Sequence, residues 1–159
     1  RERYKINAVT GVLFPHESTL RNEGFVIRKI INAAVESSIN KKHKVEFGNI
    51  NIARDWGWAE EYMEAIYLIT NRDKIVKDHI ICTGKLTRLT TIIDKVFRCF
   101  DLDWQDHIVI SQKNKRAADI ECSFGNPKFL SSDLNWESKF KIEDIIRVLI
   151  NDQKKYKSV

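Results

Sequence analysis

The side chains of this chain that can do chemistry are cations in loops and at the starts of helices, with one histidine among them. His16 follows an apolar run and a proline, where it can contact a ligand; a lone histidine in a loop is by default an exposed or already satisfied side chain. Lys29 stands three residues after Val26, so on a helix the two face the same site. Arg54 and Asp55 are adjacent, which suits an anion contact or, more plainly, a local salt bridge with Asp55 capping the helix that follows. Arg116 comes just after Lys113 and Lys115 and reads equally well as part of a charged surface loop.

What these residues do not form is as informative. Cys82, Cys99 and Cys122 are far apart and odd in number, which fits neither a disulfide framework nor a CxxC metal pair and points to a reducing compartment. His16, His43, His79 and His107 show no HxxxH or HExxH spacing, so no zinc site is expected. The formal charge of +5 favours an anionic partner: nucleic acid, an acidic membrane surface or a phosphorylated small molecule. No run of five Lys or Arg occurs, and the densest patch, Lys154-Lys155-Tyr156-Lys157, reads as a solvated helix end. No apolar stretch reaches the roughly 18 residues of a membrane span, and no charged-then-apolar leader opens the chain.

The elements that must position these groups follow from periodicity. With 43% hydrophobic and 31% charged residues in 159, the chain can bury a core and suits one domain or part of a larger one. Six Gly and two Pro are too few for a many-turned all-β sandwich. Residues 6–14 (INAVTGVLF) read as a strand buried on both faces, stopped by Pro15, with a loop over 15–24 at its carboxyl end. Open α/β sheets bind ligands at such loops. Helices are predicted over 25–39, around Ala59 to Ile69, over 89–100, from Asn126-Pro127, and over 142–152. Short strands are predicted at 45–47, 79–83 and 108–110. Helices alternating with short strands make the class α/β.

The order of blocks is more specific than any one of them. Gly11-Val12-Leu13-Phe14-Pro15-His16-Glu17-Ser18, then Phe25-Val26-Ile27-Arg28-Lys29-Ile30, resembles the pattern GILFNHES…FVTRKI. Gly48-Asn49, Arg54-Asp55-Trp56-Gly57-Trp58-Ala59 and Tyr62-Met63-Glu64-Ala65 resemble GN…RDWGHA…YVEA. Thr83-Gly84-Lys85, then Arg116-Ala117-Ala118-Asp119-Ile120 with Gly125-Asn126-Pro127 and Leu134-Asn135-Trp136, resemble ATGK, RPTEV…GDP and LGW. These are marks of the GDP-mannose 4,6-dehydratases, extended short-chain dehydrogenases/reductases, and the match runs over essentially the whole chain.

The resemblance implies late strands of a Rossmann-type NAD(P)-binding fold at 1–24 and 78–88, and mainly a smaller substrate-binding domain at 25–77 and 89–159. It implies NADP contacts from His16 and Arg21, and a GDP-sugar site lined by Val26, Lys29, Arg54, Arg116 and Asp119. Cations fit a diphosphate, and a nearby carboxylate can accept ribose hydroxyls. The implied reaction is that of a lyase: oxidation at C4 of a GDP-hexose by NADP, loss of water across C5 and C6, and return of the hydride to C6. The family's glycine-rich NADP fingerprint and catalytic Tyr-x-x-x-Lys lie upstream of Arg1, so the chain is expected to be a C-terminal half that is inactive alone and holds no catalytic residue itself. A cytoplasmic homo-oligomer, dimer or tetramer, with no nucleic acid or membrane partner, is also implied.

Four departures mark the pattern. Pro15 replaces an Asn that helps hold the nucleotide sugar, Asp119 replaces Glu, Trp58 replaces His, and Thr19-Leu20 replace Pro-Arg. They suit a changed substrate such as a GDP-heptose. Two other functions compete with the enzyme: a non-catalytic basic binding module, and a degenerate partner subunit of a sugar-nucleotide enzyme. Against the first, aromatics are not interleaved with the cations as a nucleic-acid stacking surface requires.

Overall fold

A computed structural model describes residues 1–72, 77–111 and 119–157, with side chains described through Lys154. Within them the chain is α/β, and its short strands pair mostly in parallel. Strand β1 (Gly11–Leu13) pairs with β6 (His79–Ile81), β2 (His16–Glu17) with β5 (Gly57–Trp58), and β3 (Val45–Phe47) with β8 (Ile108–Ile110), all parallel. Strand β4 (Ala53–Asp55) is the middle of a three-stranded sheet, antiparallel to β7 (Leu86–Arg88) and parallel to β9 (Cys122–Ser123).

Five α-helices pack on these strands. Helix α1 (Val26–Ile39) buries Ile27, Ile30, Ile31, Ala33 and Ala34 at helical spacing, and α3 (Leu89–Arg98) buries Ile92, Ile93, Val96 and Phe97. Both meet α5 (Ile142–Lys157) through its Ile145, Ile146 and Leu149, and the three stripes form the larger core. Each stripe is covered only because two others face it, which is how amphipathic helices gain most of their stability. Lys95 and Arg98 sit in the last turn of α3, where the dipole favours cations. Beyond it, left-handed Asp101 (φ 55°) turns the chain so that the Leu102 amide reaches the Phe97 carbonyl at 3.2 Å.

A second core joins helix α2 (Ala59–Thr70) to β6 and to α4 (Lys128–Leu134), through Tyr62, Ala65, Ile69, Ile81, Leu130 and Trp136. Glu60 and Glu61 occupy the first turn of α2. Pro127 opens α4 and left-handed Asn135 (φ 52°) closes it. Just upstream, Gly125 packs so tightly that a Cβ there would lie 2.5 Å from Cys82 Sγ.

The structure departs from the sequence-based expectations in several places. The strand expected at 6–14 is only Gly11–Leu13, and it is not buried on both faces: Val12 is 48% exposed, as its β6 neighbour Ile80 is at 41%. A two-stranded sheet cannot cover both of its own faces. The loop expected at 15–24 contains β2, α3 stops at Arg98, and α5 runs on through the basic tail to Lys157. Asp55 does not cap α2, since Gly57 and Trp58 intervene as β5 and the helix has no side-chain cap.

Candidate functional site

A cleft of about 490 Å³ opens between the β2–α1 segment, the end of β3, β4 and the chain around Asp119. It gathers Arg21, Val26, Lys29, Arg54 and Asp119, which lie almost a hundred residues apart in the chain.

Each is held by a different element. Helix α1 begins at Val26, so Val26 and Lys29 share its first turn and the same wall. The Lys29 ammonium lies 4.5 Å over the Phe47 ring and donates to the Glu46 carbonyl at 2.6 Å. Arg54 is fixed by backbone pairing on both sides, opposite Thr87 of β7 and Ser123 of β9. Its guanidinium donates to the carbonyls of Ala53 (2.8 Å) and Glu121 (3.2 Å). Carbonyls orient a cation without cancelling its charge. Among the described residues no ion pair neutralises Lys29 or Arg54, so the cleft keeps a positive field.

Arg21 reaches the cleft from the loop before α1, its guanidinium carbon 3.7 Å above the centre of the Phe25 ring. Its Nε lies 3.4 Å from Glu17 Oε2. Glu17 is 1% exposed and borders the cleft, and burial pushes its carboxyl up to about 7 against the opposing pull of Arg21 and Arg28.

His16 is not in the cleft wall. It is next to Glu17 on β2, and neighbours on a strand point to opposite faces. Its Nδ1 donates to the Phe14 carbonyl at 2.8 Å, and its half-buried ring lies 5.0 Å from the Tyr62 ring. Arg116 lies outside the described residues. Pro15 is present in the cleft wall, where an Asn was expected by resemblance, and its carbonyl accepts the Gly57 amide at 2.9 Å.

Several residues of the cleft were not singled out as site residues from sequence: Glu17, Phe25, Phe47 and Trp56. The i, i+4 spacing of Glu17 and Arg21 is the one local signal that points at Glu17. Elsewhere, buried His79 bonds through Nε2 to Asp133 (2.9 Å), which also pairs with Arg72 (2.6 Å); these bonds hold Asp133 below the usual carboxylate range and tie β6 to α4. Among the described residues no group of His, Cys, Asp and Glu is arranged to hold a metal ion, and no helix is long and apolar enough to cross a membrane.

The comparisons with known proteins agree with one another. The family model described as GDP-mannose 4,6 dehydratase matches residues 1–149. The chain is 31% identical over 152 residues to GDP-mannose 4,6 dehydratase 1 of Arabidopsis thaliana, covering 96% of this chain and 42% of that protein. It is 33% identical over 166 residues to GDP-mannose 4,6 dehydratase 2 of Caenorhabditis elegans, covering 94% and 43%. Among solved structures, dTDP-glucose 4,6-dehydratase from Bacillus anthracis, in complex with NAD, superposes with a TM-score of 0.85 at 13% identity, over 99% of this chain and 48% of that one. RMD from Pseudomonas aeruginosa, complexed with NADPH, gives 0.82 at 16% identity, over 94% and 48%. Those two share the fold. The chain spans less than half the length of the relatives and solved chains it matches here. By the family model and the two sequence relatives, this chain belongs to the GDP-mannose 4,6 dehydratase family.

Proposed function

We propose that this cleft binds the diphosphate of a GDP-sugar, and that the chain is the substrate-holding part of an NADP-dependent lyase converting a GDP-hexose to its 4-keto-6-deoxy product. The observation that carries it is the meeting of Lys29 and Arg54 in one cleft with Val26 and Asp119 beside them. Guanidinium and ammonium groups make charge-assisted bonds to phosphate oxygens, an apolar residue suits a flat base, and a carboxylate accepts ribose hydroxyls. The contribution to catalysis is positioning, which holds the reacting carbon in place while other groups act on it. Segments 1–24 and 78–88 then belong to the dinucleotide-binding sheet, and 25–77 and 89–159 mainly to the substrate side.

The cofactor fits this chain at an edge only. Arg21, on the cleft wall with its Nε unpartnered by any hydrogen bond among the described residues, suits a phosphate of the dinucleotide. With Nδ1 donating to the Phe14 carbonyl, His16 has Nε2 left for a ligand hydroxyl. When bound, NADP supplies the hydride acceptor and donor of the reaction.

Calorimetry with GDP, GMP and GDP-mannose tests the nucleotide site. GDP should bind at least about tenfold tighter than GMP, and Arg54→Ala and Lys29→Ala should each weaken GDP by about tenfold, in line with about 1.5–3 kcal/mol for a hydrogen bond to a charged group. Equal binding of GDP and GMP, or no effect of Arg54→Ala, overturns it.

A further inference from the structure

Glu17 is an anomaly in a cleft built for anions. Neither carboxylate oxygen has a hydrogen-bond partner among the described residues, although the side chain is almost completely buried. Arg21 Nε faces Oε2 at 3.4 Å without meeting hydrogen-bond geometry, and that Nε is unpartnered as well. The two are held by charge alone, with the Arg21 guanidinium laid on Phe25.

The second cation acting on Glu17 is Arg28 of α1, itself engaged by Asp152 (2.5 Å), the Thr19 carbonyl and Gln153. Of the elements packed on β2, β5 carries no ionisable side chain, and α2 brings Tyr62 against His16. Arg28 is therefore committed elsewhere, and Arg21 is the cation a ligand can take.

We propose that Glu17 is a positioning residue: it holds Arg21 at the cleft wall while the site is empty, and a phosphate group bound at Arg21 replaces it and leaves Glu17 to take up a proton from solvent. Only a proton moves, from water or buffer to a carboxylate oxygen. A second anion beside Arg21 disfavours the ionised carboxylate, and a carboxyl that already titrates near 7 responds within the neutral range. The inference deepens the nucleotide reading and rests on it for the owner of the phosphate, GDP or the dinucleotide.

The experiment is calorimetry of the whole chain in two buffers of different ionisation enthalpy, between pH 6 and 8.5, with pyrophosphate, GDP and NADPH as probes. At pH 7 the wild type should take up as much as about half a proton more than Glu17→Gln, because about half of Glu17 is already protonated there. Wild-type affinity should fall severalfold per pH unit above 7, about tenfold at the limit, relative to Glu17→Gln. At pH 8 Glu17→Gln should bind at least as tightly as the wild type, which a merely structural role would not produce. Arg21→Gln should lose both affinity and proton uptake. Uptake with NADPH and not GDP assigns the phosphate to the dinucleotide and supports the inference. Pyrophosphate binding with uptake, and no preference for GDP, supports it while removing the guanine-nucleotide reading. GDP binding with no proton difference between wild type and Glu17→Gln overturns it and leaves that reading standing. No binding of any probe overturns both.

Discussion

Asp55 and Thr83 are bonded twice: one carboxylate oxygen of Asp55 accepts both the Thr83 amide (2.9 Å) and its hydroxyl (2.7 Å). The other oxygen accepts the Gly84 amide at 2.8 Å, at a left-handed turn (φ 74°) suited to glycine. These bonds tie β4, which carries Arg54, to the turn after β6. Asp55→Ala strands three neutral donors and should cost about 3–5 kcal/mol, since each buried donor left unsatisfied costs about 1–3 kcal/mol. Asp55→Asn, which keeps one acceptor, should cost about 1–3 kcal/mol. Urea unfolding of the two variants checks the order, and both should weaken GDP through Arg54.

Glu17 makes folding depend on pH in an unusual direction. Its carboxyl titrates near 7 in the folded chain against an ordinary value of 4.5, so between these values the folded state binds more protons than the unfolded. Its contribution is fully present below pH 4.5 and is lost as pH rises through 7, on the order of 3 kcal/mol. Glu17→Gln should therefore raise the melting temperature at pH 8 and leave it nearly unchanged at pH 4. A thermal melt series across pH reads this directly.

Gly57 has no room for a side chain. A Cβ there would sit 2.3 Å from the Tyr62 ring, which is fully buried and packed against both His16 and Trp136. Gly57→Ala should cost about 1–3 kcal/mol, as overpacking does. By moving Tyr62 it should also displace His16, visible as a changed imidazole resonance by NMR. Gly24→Ala, where only the Asn22 side chain comes near at 3.4 Å, is the control.

Pro15 offers the cleft no side-chain donor, and its backbone carbonyl is already used by Gly57. Pro15→Asn leaves that carbonyl in place and adds an amide at the wall. One new hydrogen bond of about 0.5–1.5 kcal/mol should tighten GDP-mannose severalfold and leave GDP alone nearly unchanged. Calorimetry of the two ligands against both proteins separates a sugar contact from a general gain.

The helices were legible in the sequence because each carries its own period: Val26, Ile30, Ala33 and Ala34 announce α1 before any partner is known. Strands β2, β4, β5, β7 and β9 were not, since their residues (HE, ARD, GW, LTR and CS) offer no β-rich apolar run such as marks β6 and β8, and their conformation comes from the neighbours they pair with. That is why His16 and Glu17 read as loop, and why nothing suggested that they face opposite ways. Lys29 and Arg54 stand 25 residues apart with no local rule that joins them; the family resemblance, not spacing, brought them together. Asp55 looked like a cap because it precedes a helix, but its partners at Thr83 and Gly84 are tertiary.

The tight seat of Gly125 over Cys82 gives the protein an internal chemical reporter. Cys82 is fully enclosed and burial pushes its thiol up to about 11, whereas Cys99 and Cys122 are exposed. A thiol reagent should therefore modify two cysteines at once and the third only when this region opens. The rate of that third modification times the breathing of the chain beside Phe14 and Cys82, and a ligand that closes the fold should slow it without touching the first two.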